Sequence, residues 1–230
     1  MKKLLLASSL ALGLTTGLFA DNIVASASVG GAATGSNLFN FDALVLGSGS
    51  QTAWGTGGTS VAVSFAAPDS GVVNGASNNV FAAPFLSGGN GVGFGSPNQP
   101  NGADTTNYLS TGTGSVTLNF GVGLSYLGLL WGSVDDYNTI EFFNGMSSVG
   151  SFTGINVLGL PNGNQGIGGS VYVNFSDLDG QFTKVVLTSS TNAFEIDNVA
   201  INSVGVPDSG ATVALLGLGL VALAAVRRKR

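Results

Sequence analysis

Histidine and cysteine are both absent from this 230-residue chain, and lysine and arginine together number only seven. Without histidine or cysteine, a Ser-His-Asp triad, a Cys-His pair and the usual zinc sites cannot be assembled. Without cysteine there is also no disulfide to staple an exported domain, so a buried core must hold it. No Gly-x-x-x-x-Gly-Lys-Ser/Thr run occurs, and the 37 glycines therefore spell no phosphate cradle. Between residues 28 and 205 ten acidic side chains face the single Lys184, a net charge of −9. Such a surface repels nucleic acid, whose phosphates need Lys and Arg, and it attracts cations. Charged residues are 8% of the chain against 44% apolar, a balance that argues against intrinsic disorder.

What is present is concentrated first at the two ends. Met1-Lys2-Lys3 is a short basic start, and residues 4–19 form an apolar run of signal-peptide length. Leu18-Phe19-Ala20 offers a cut after Ala20, and Ala25-Ser26-Ala27 offers one after Ala27 with the better small-x-small pattern. The second choice divides the chain into a signal peptide (1–27), a central domain (28–205) and a C-terminal segment (206–230). That last segment begins Val206-Pro207-Asp208-Ser209-Gly210, continues as an apolar run over 211–226, and stops on Arg227-Arg228-Lys229-Arg230. Sixteen helical residues at about 1.5 Å each span roughly 24 Å, short of the ~30 Å hydrocarbon core. The run enters a bilayer and barely crosses it, and the four cations mark the cytoplasmic side. This order of turn, short apolar helix and basic stop resembles the PEP-CTERM sorting signal in its Val-Pro-Asp-Ser-Gly form. The resemblance implies a transmembrane helix, an exosortase-type processing enzyme as partner, and an envelope, cell-surface or extracellular-matrix location.

The middle of the chain reads as β throughout. Residues 59–65, 115–120 and 170–175 alternate apolar and small polar side chains with period two, as half-buried strands do. Weaker strand patterns lie at 38–46, 80–86, 126–131 and 182–187. No sustained 3.6-residue stripe occurs between 30 and 205. Asn144-Gly145 between 139–143 and 146–152 predicts a hairpin with a type I′ turn. The Gly-, Asn- and Ser-rich stretches 47–58 and 87–104 read as surface loops. Short strands with frequent turns predict an all-β fold, an antiparallel β-sandwich or jelly roll, between a signal helix and a transmembrane helix. Residues 126–140, 171–175 and 193–201 also resemble blocks of exosortase-dependent surface proteins of cyanobacteria and related bacteria. That likeness implies an exported β-sandwich with a structural or adhesive role in matrix or biofilm, and no known activity.

Candidate site residues are few. Glycoside hydrolysis needs two carboxylates, and the only glutamates are Glu141 and Glu195, each alternating with apolar neighbours and so directed to solvent. The chain is therefore read as no enzyme, with a glycan-binding module as the alternative class and a hydrolase as a lesser one. Trp131 closes an apolar strand and reads as core. Trp54 sits in a predicted loop and is the candidate contact for an extracellular polysaccharide. Asp135 and Asp136 offer hard oxygen ligands suited to calcium, or else a solvated turn. In the last strand the apolar residues shift from 194 and 196 to 199 and 201, which predicts a β-bulge at Asp197-Asn198. Such a bulge would turn Asp197 or Asn198 towards the core or a sheet edge, and a buried carboxylate needs a partner. Ile196-Asp197-Asn198-Val199 resembles jelly-roll carbohydrate-binding modules, some of which hold a structural calcium ion there.

Overall fold

The computed structural model describes residues 22–28, 30–66, 69–91, 94 and 101–203. The signal helix, the apolar run and the basic tail lie outside these. Among the described residues no helix is long and apolar enough to cross a membrane. In chain order come β1 (Ile23–Ser28), β2 (Asn37–Phe39), β3 (Gln51–Trp54), β4 (Ser60–Ala66) and β5 (Gly71–Asn74). Next are β6 (Phe85–Leu86), β7 (Gly102–Ala103), β8 (Asn107–Ser110) and the eighteen-residue β9 (Ser115–Gly132). Then follow β10 (Asn138–Asn144), β11 (Ser147–Thr153), α1 (Gly154–Leu158), β12 (Val171–Asp177), β13 (Phe182–Ser189) and β14 (Glu195–Ser203).

All strand pairs are antiparallel, and β9 joins two layers. Its first half, through Asn119, is bonded to β13 on one side and β4 on the other. Its second half is bonded to β14 from Leu124 and to β12 from Tyr126. The first layer thus runs β11-β10-β13-β9-β4-β3. The second runs β1-β12-β9-β14-β8-β5, with β2 beside the far end of β14. The passage between layers falls at Gly121-Val122-Gly123. There β13 pairs Lys184 with Asn119 and then Phe182 with Leu124, so β9 loops out several residues for the two that its partner advances. Gly121 takes φ +66°, open to glycine, and Val122 is exposed.

One apolar cluster fills the space between the layers. Val61, Val63, Val116, Leu118, Phe142, Val185 and Leu187 from the first meet Leu127, Leu129, Trp131, Phe175, Phe194 and Ile196 from the second. Phe142 stands edge-on to Phe182 at 4.9 Å between ring centroids, and Trp131 stacks on Phe194 at 4.2 Å. A smaller cluster covers the outer face of the second layer, where Leu86 and Phe94 close over Tyr126, Leu130 and Tyr172. The second layer is consequently buried on both sides.

Several expectations change in detail. The predicted strands 115–120 and 126–131 are two halves of β9, while 38–46 and 80–86 shrink to β2 and the two-residue β6. The hairpin forms, but Asn144 pairs with Ser147 and only Gly145 has positive φ (+61°). The turn therefore centres on Gly145-Met146 with glycine first, as a type II′ turn requires, and is not the type I′ turn on Asn144-Gly145. The loop 47–58 contains β3, so Trp54 is a strand residue. The short α1 had no periodicity to announce it; the Asn156 side chain accepts from the Thr153 N–H (2.7 Å) at its start.

β1 bears on the leader boundary. Ile23 to Ser28 pair residue for residue with Asp177 to Tyr172, and a cut after Ala27 would remove nearly the whole strand. A cut after Ala20 leaves it intact. N-terminal sequencing of the exported protein is expected to begin at Asp21; a mature chain starting at Ser28 would mean that β1 is dispensable.

Candidate functional site

The C-terminal end of β9 and the start of β14 lie side by side, Gly132 opposite Glu195. Beyond them the chain turns sharply. Ser133 holds φ +39°, a left-handed conformation that costs a non-glycine residue on the order of 1–3 kcal/mol. That bend carries its hydroxyl to Glu195, where it donates to Oε2, while the Ala82 N–H donates to Oε1 at 2.9 Å. Glu195 is 1% exposed. Burial pushes its carboxyl from 4.5 up to about 7, against the lowering effect of these hydrogen bonds.

Glu195 floors a cleft of about 530 Å³. One wall is the segment 76–82, the other Asp135, Tyr137 and the loop at Asn162-Gly163, and Asn192-Ala193 closes an end. The Tyr137 hydroxyl donates to Asp135 Oδ2 at 2.6 Å. Burial also raises Asp135, an effect that the Tyr137 bond opposes and the charge of Asp136 reinforces. Gly163, at φ +64°, stands so close that a Cβ there would lie 2.8 Å from Asp135 Oδ1. Its N–H donates to the Val134 carbonyl at 3.0 Å, which pins the loop against the strand end. The lining is polar: carboxylates, the phenol of Tyr137, and the amides of Asn78, Asn79, Asn162, Gln165 and Asn192.

This geometry corrects the expectation that Glu195 points to solvent. It does alternate with Phe194 and Ile196, which enter the main core. The opposite face, however, is covered at Ala82 instead of lying open to water. Glu141 fits the solvent-side expectation better, accepting from the Ser148 hydroxyl at 2.6 Å in the β10–β11 hairpin. Trp131 is fully buried core, and Trp54 is 69% exposed on the edge strand β3, away from the cleft lining. Asp135 lines the cleft; Asp136 is exposed and does not.

The predicted bulge is present. Asp197 pairs with Leu130 and Ala200 with Gly128, so β14 spends three residues on two of β9. Asn198 adopts φ +51°, and Val199 and Ile201 thereby join Phe194 and Ile196 in the same core. Asp197 is 1% exposed, hydrogen-bonded to the Asp104 carboxyl, and its Oδ1 accepts nothing. Burial, then the Asp104 contact and charge, hold it well above the usual carboxylate range. Asp104 is itself buried, its Oδ1 accepting from the Thr106 N–H and hydroxyl at 2.8 and 2.6 Å. This pair of hard oxygens with one orphaned atom suits a calcium-like ion. Among the described residues, no group of three acidic side chains stands close enough to enclose one. Neither Asp135, in the cleft, nor the exposed Asp136 belongs to this pair.

Two comparisons bear on the chain. Residues 205–230 match the VPDSG-CTERM motif, a PEP-CTERM-type sorting signal, and this signal points to an exported surface protein. A carbohydrate-binding module from lichenase 5A of Cellvibrio mixtus, solved with cellotriose, is similar at 12% identity and a TM-score of 0.27. The match covers 73% of this chain and 96% of that one. At that score the fold description rests on the chain's own strands. No curated protein matches the chain.

The raised carboxyls give stability a defined pH dependence. A folded-state value above the unfolded one means that the native state keeps a proton the unfolded chain has released. The stabilisation is full below about 4.5 and lost as pH rises to about 7 for Glu195, on the order of 3 kcal/mol in all. Thermal unfolding is expected to show a melting temperature that falls between pH 5 and 8. Glu195→Gln should flatten that fall; an unchanged slope would mean that Glu195 titrates normally.

Proposed function

We propose that this chain is an exported envelope or extracellular-matrix protein that adheres to polysaccharide through the Glu195 cleft. Export and surface delivery follow from the sorting signal. An exosortase-type enzyme processes the protein near Val206-Pro207-Asp208-Ser209-Gly210, and the apolar run holds it at the membrane until then. The observation that supports adhesion is the cleft lining. Side-chain amides and carboxylates pair with adjacent sugar hydroxyls, and the Tyr137 ring offers an apolar face beside a polar tip. The cleft volume falls within the roughly 300–1,000 Å³ range of small-molecule sites.

Binding is favoured over hydrolysis. Both oxygens of Glu195 are held by protein donors, and Glu141 lies in a separate hairpin. The two glutamates thus do not flank one sugar. On an oligosaccharide array the purified protein is expected to retain a defined subset of glycans. Tyr137→Ala should weaken that binding by about tenfold, or about 1.4 kcal/mol. If no glycan is retained, the adhesive reading fails and a purely structural role is left.

A structural calcium ion at Asp104 and Asp197 is the second part of the proposal, supported by the orphaned Asp197 Oδ1. Melting in calcium should then exceed melting in a chelator by several degrees, at about 2–4 °C per kcal/mol for a domain of this size. Asp197→Asn should abolish the difference. Identical curves with and without chelator would remove the ion from the account.

A further inference from the structure

We infer that the ligand of the cleft is a glycan carrying free, protonated amino groups; this rests on the adhesive reading above. The cleft is lined by the Asp135 carboxylate and by Glu195, whose buried carboxyl keeps its proton at about pH 6, and among the described residues no lysine or arginine lines it. Asp136 adds an exposed negative charge one residue from its wall. The single cation among the described residues, Lys184, is on β13 in the other layer, 4.3 Å from the Phe143 ring centroid. Among the described residues no cation in the cleft compensates the charge of Asp135 and Asp136, and a concave low-dielectric wall strengthens that field.

The acids of the cleft do not form an ion cage, and the field comes from Asp135 with Asp136 behind it. Glu195 spends both oxygens on the Ala82 N–H and the Ser133 hydroxyl, and Asp135 spends Oδ2 on Tyr137. No three acids among the described residues group tightly enough for a metal. An ammonium group needs less. It donates to one exposed carboxylate oxygen and to neighbouring amide carbonyls, and the walls supply those at Asn162, Gln165 and Asn192. The same charge distribution selects against other glycans. A uronate, sulfate or phosphate group would enter beside Asp135 with no cation to meet it, and like charge at a binding site is a strong discriminator. A neutral N-acetyl sugar gains only the hydrogen bonds.

The test is calorimetric titration of the purified protein at about pH 6 and low salt, where a sugar amine is protonated. The probes are a glucosamine trimer, its fully N-acetylated form, cellotriose and a galacturonate trimer. The expected result is at least tenfold tighter binding of the glucosamine trimer than of its N-acetylated form, with the galacturonate trimer excluded. That advantage should collapse at about 0.5 M salt, where charges more than a few ångströms apart are screened. Asp135→Asn should bring the amine and N-acetyl affinities within about twofold of each other, with melting temperature as the check on folding. Equal affinity for both forms, or preferred binding of the galacturonate, overturns the charge selection while leaving glycan binding in place. Failure of all four probes to bind overturns both.

Discussion

The hydrogen-bond ladders of both layers run through a single strand. β9 bonds β4 and β13 with its first half and β12 and β14 with its second. Each half needs a different orientation, and Gly121-Val122-Gly123 supplies the corner. Gly121 at φ +66° has no ready substitute, whereas a Cβ at Gly123 would displace only the flexible Gln181 side chain. Because the corner fixes how far the layers stand apart, it also sets the geometry in which Phe142, Phe175, Phe182 and Trp131 pack. A chain without disulfides has this contact as its main source of stability.

The second layer places unusual chemistry on a buried surface. Glu195 and Asp197 stand two residues apart on β14 and project to its outer face, under cover of the segment that includes Ala82, Leu86 and Phe94. Burying carboxylates is unfavourable unless they are neutral, hydrogen-bonded or paired with a cation. Each follows a different course. Glu195 receives two protein donors and opens on the cleft, whereas Asp197 shares a bond with Asp104 and keeps one oxygen unmatched. The bulge at Asn198 lets these acids coexist with an unbroken apolar row on the inner face.

Much of this was legible in the residues. Period-two alternation located β4 and β12 nearly to their ends, a weaker apolar pattern located β13, and the parity shift between Ile196 and Val199 located the bulge. Alternation identifies a face without revealing what lies over it. The solvent assignment of Glu195 failed for that reason: its cover comes from an irregular segment more than a hundred residues away, with no pattern of its own. The cleft was invisible on the same ground, since Ser77, Asp135, Gln165 and Asn192 meet only when four separate connections converge. The hairpin turn shows a smaller limit. Asn-Gly marks the bend, but pairing of Asn144 with Ser147 places the turn one residue further on, at Gly145-Met146.

The position of β14 also has a mechanical meaning. It ends at Ser203, two residues before the segment that carries the sorting signal. Tension applied to the domain through that segment would pull along β14, between β9 on one side and β2 and β8 on the other. Bonds lying across the direction of pull are loaded together, whereas an edge strand peels one bond at a time. A strand bonded along both sides, as β14 is, resists such a pull better than an edge strand would.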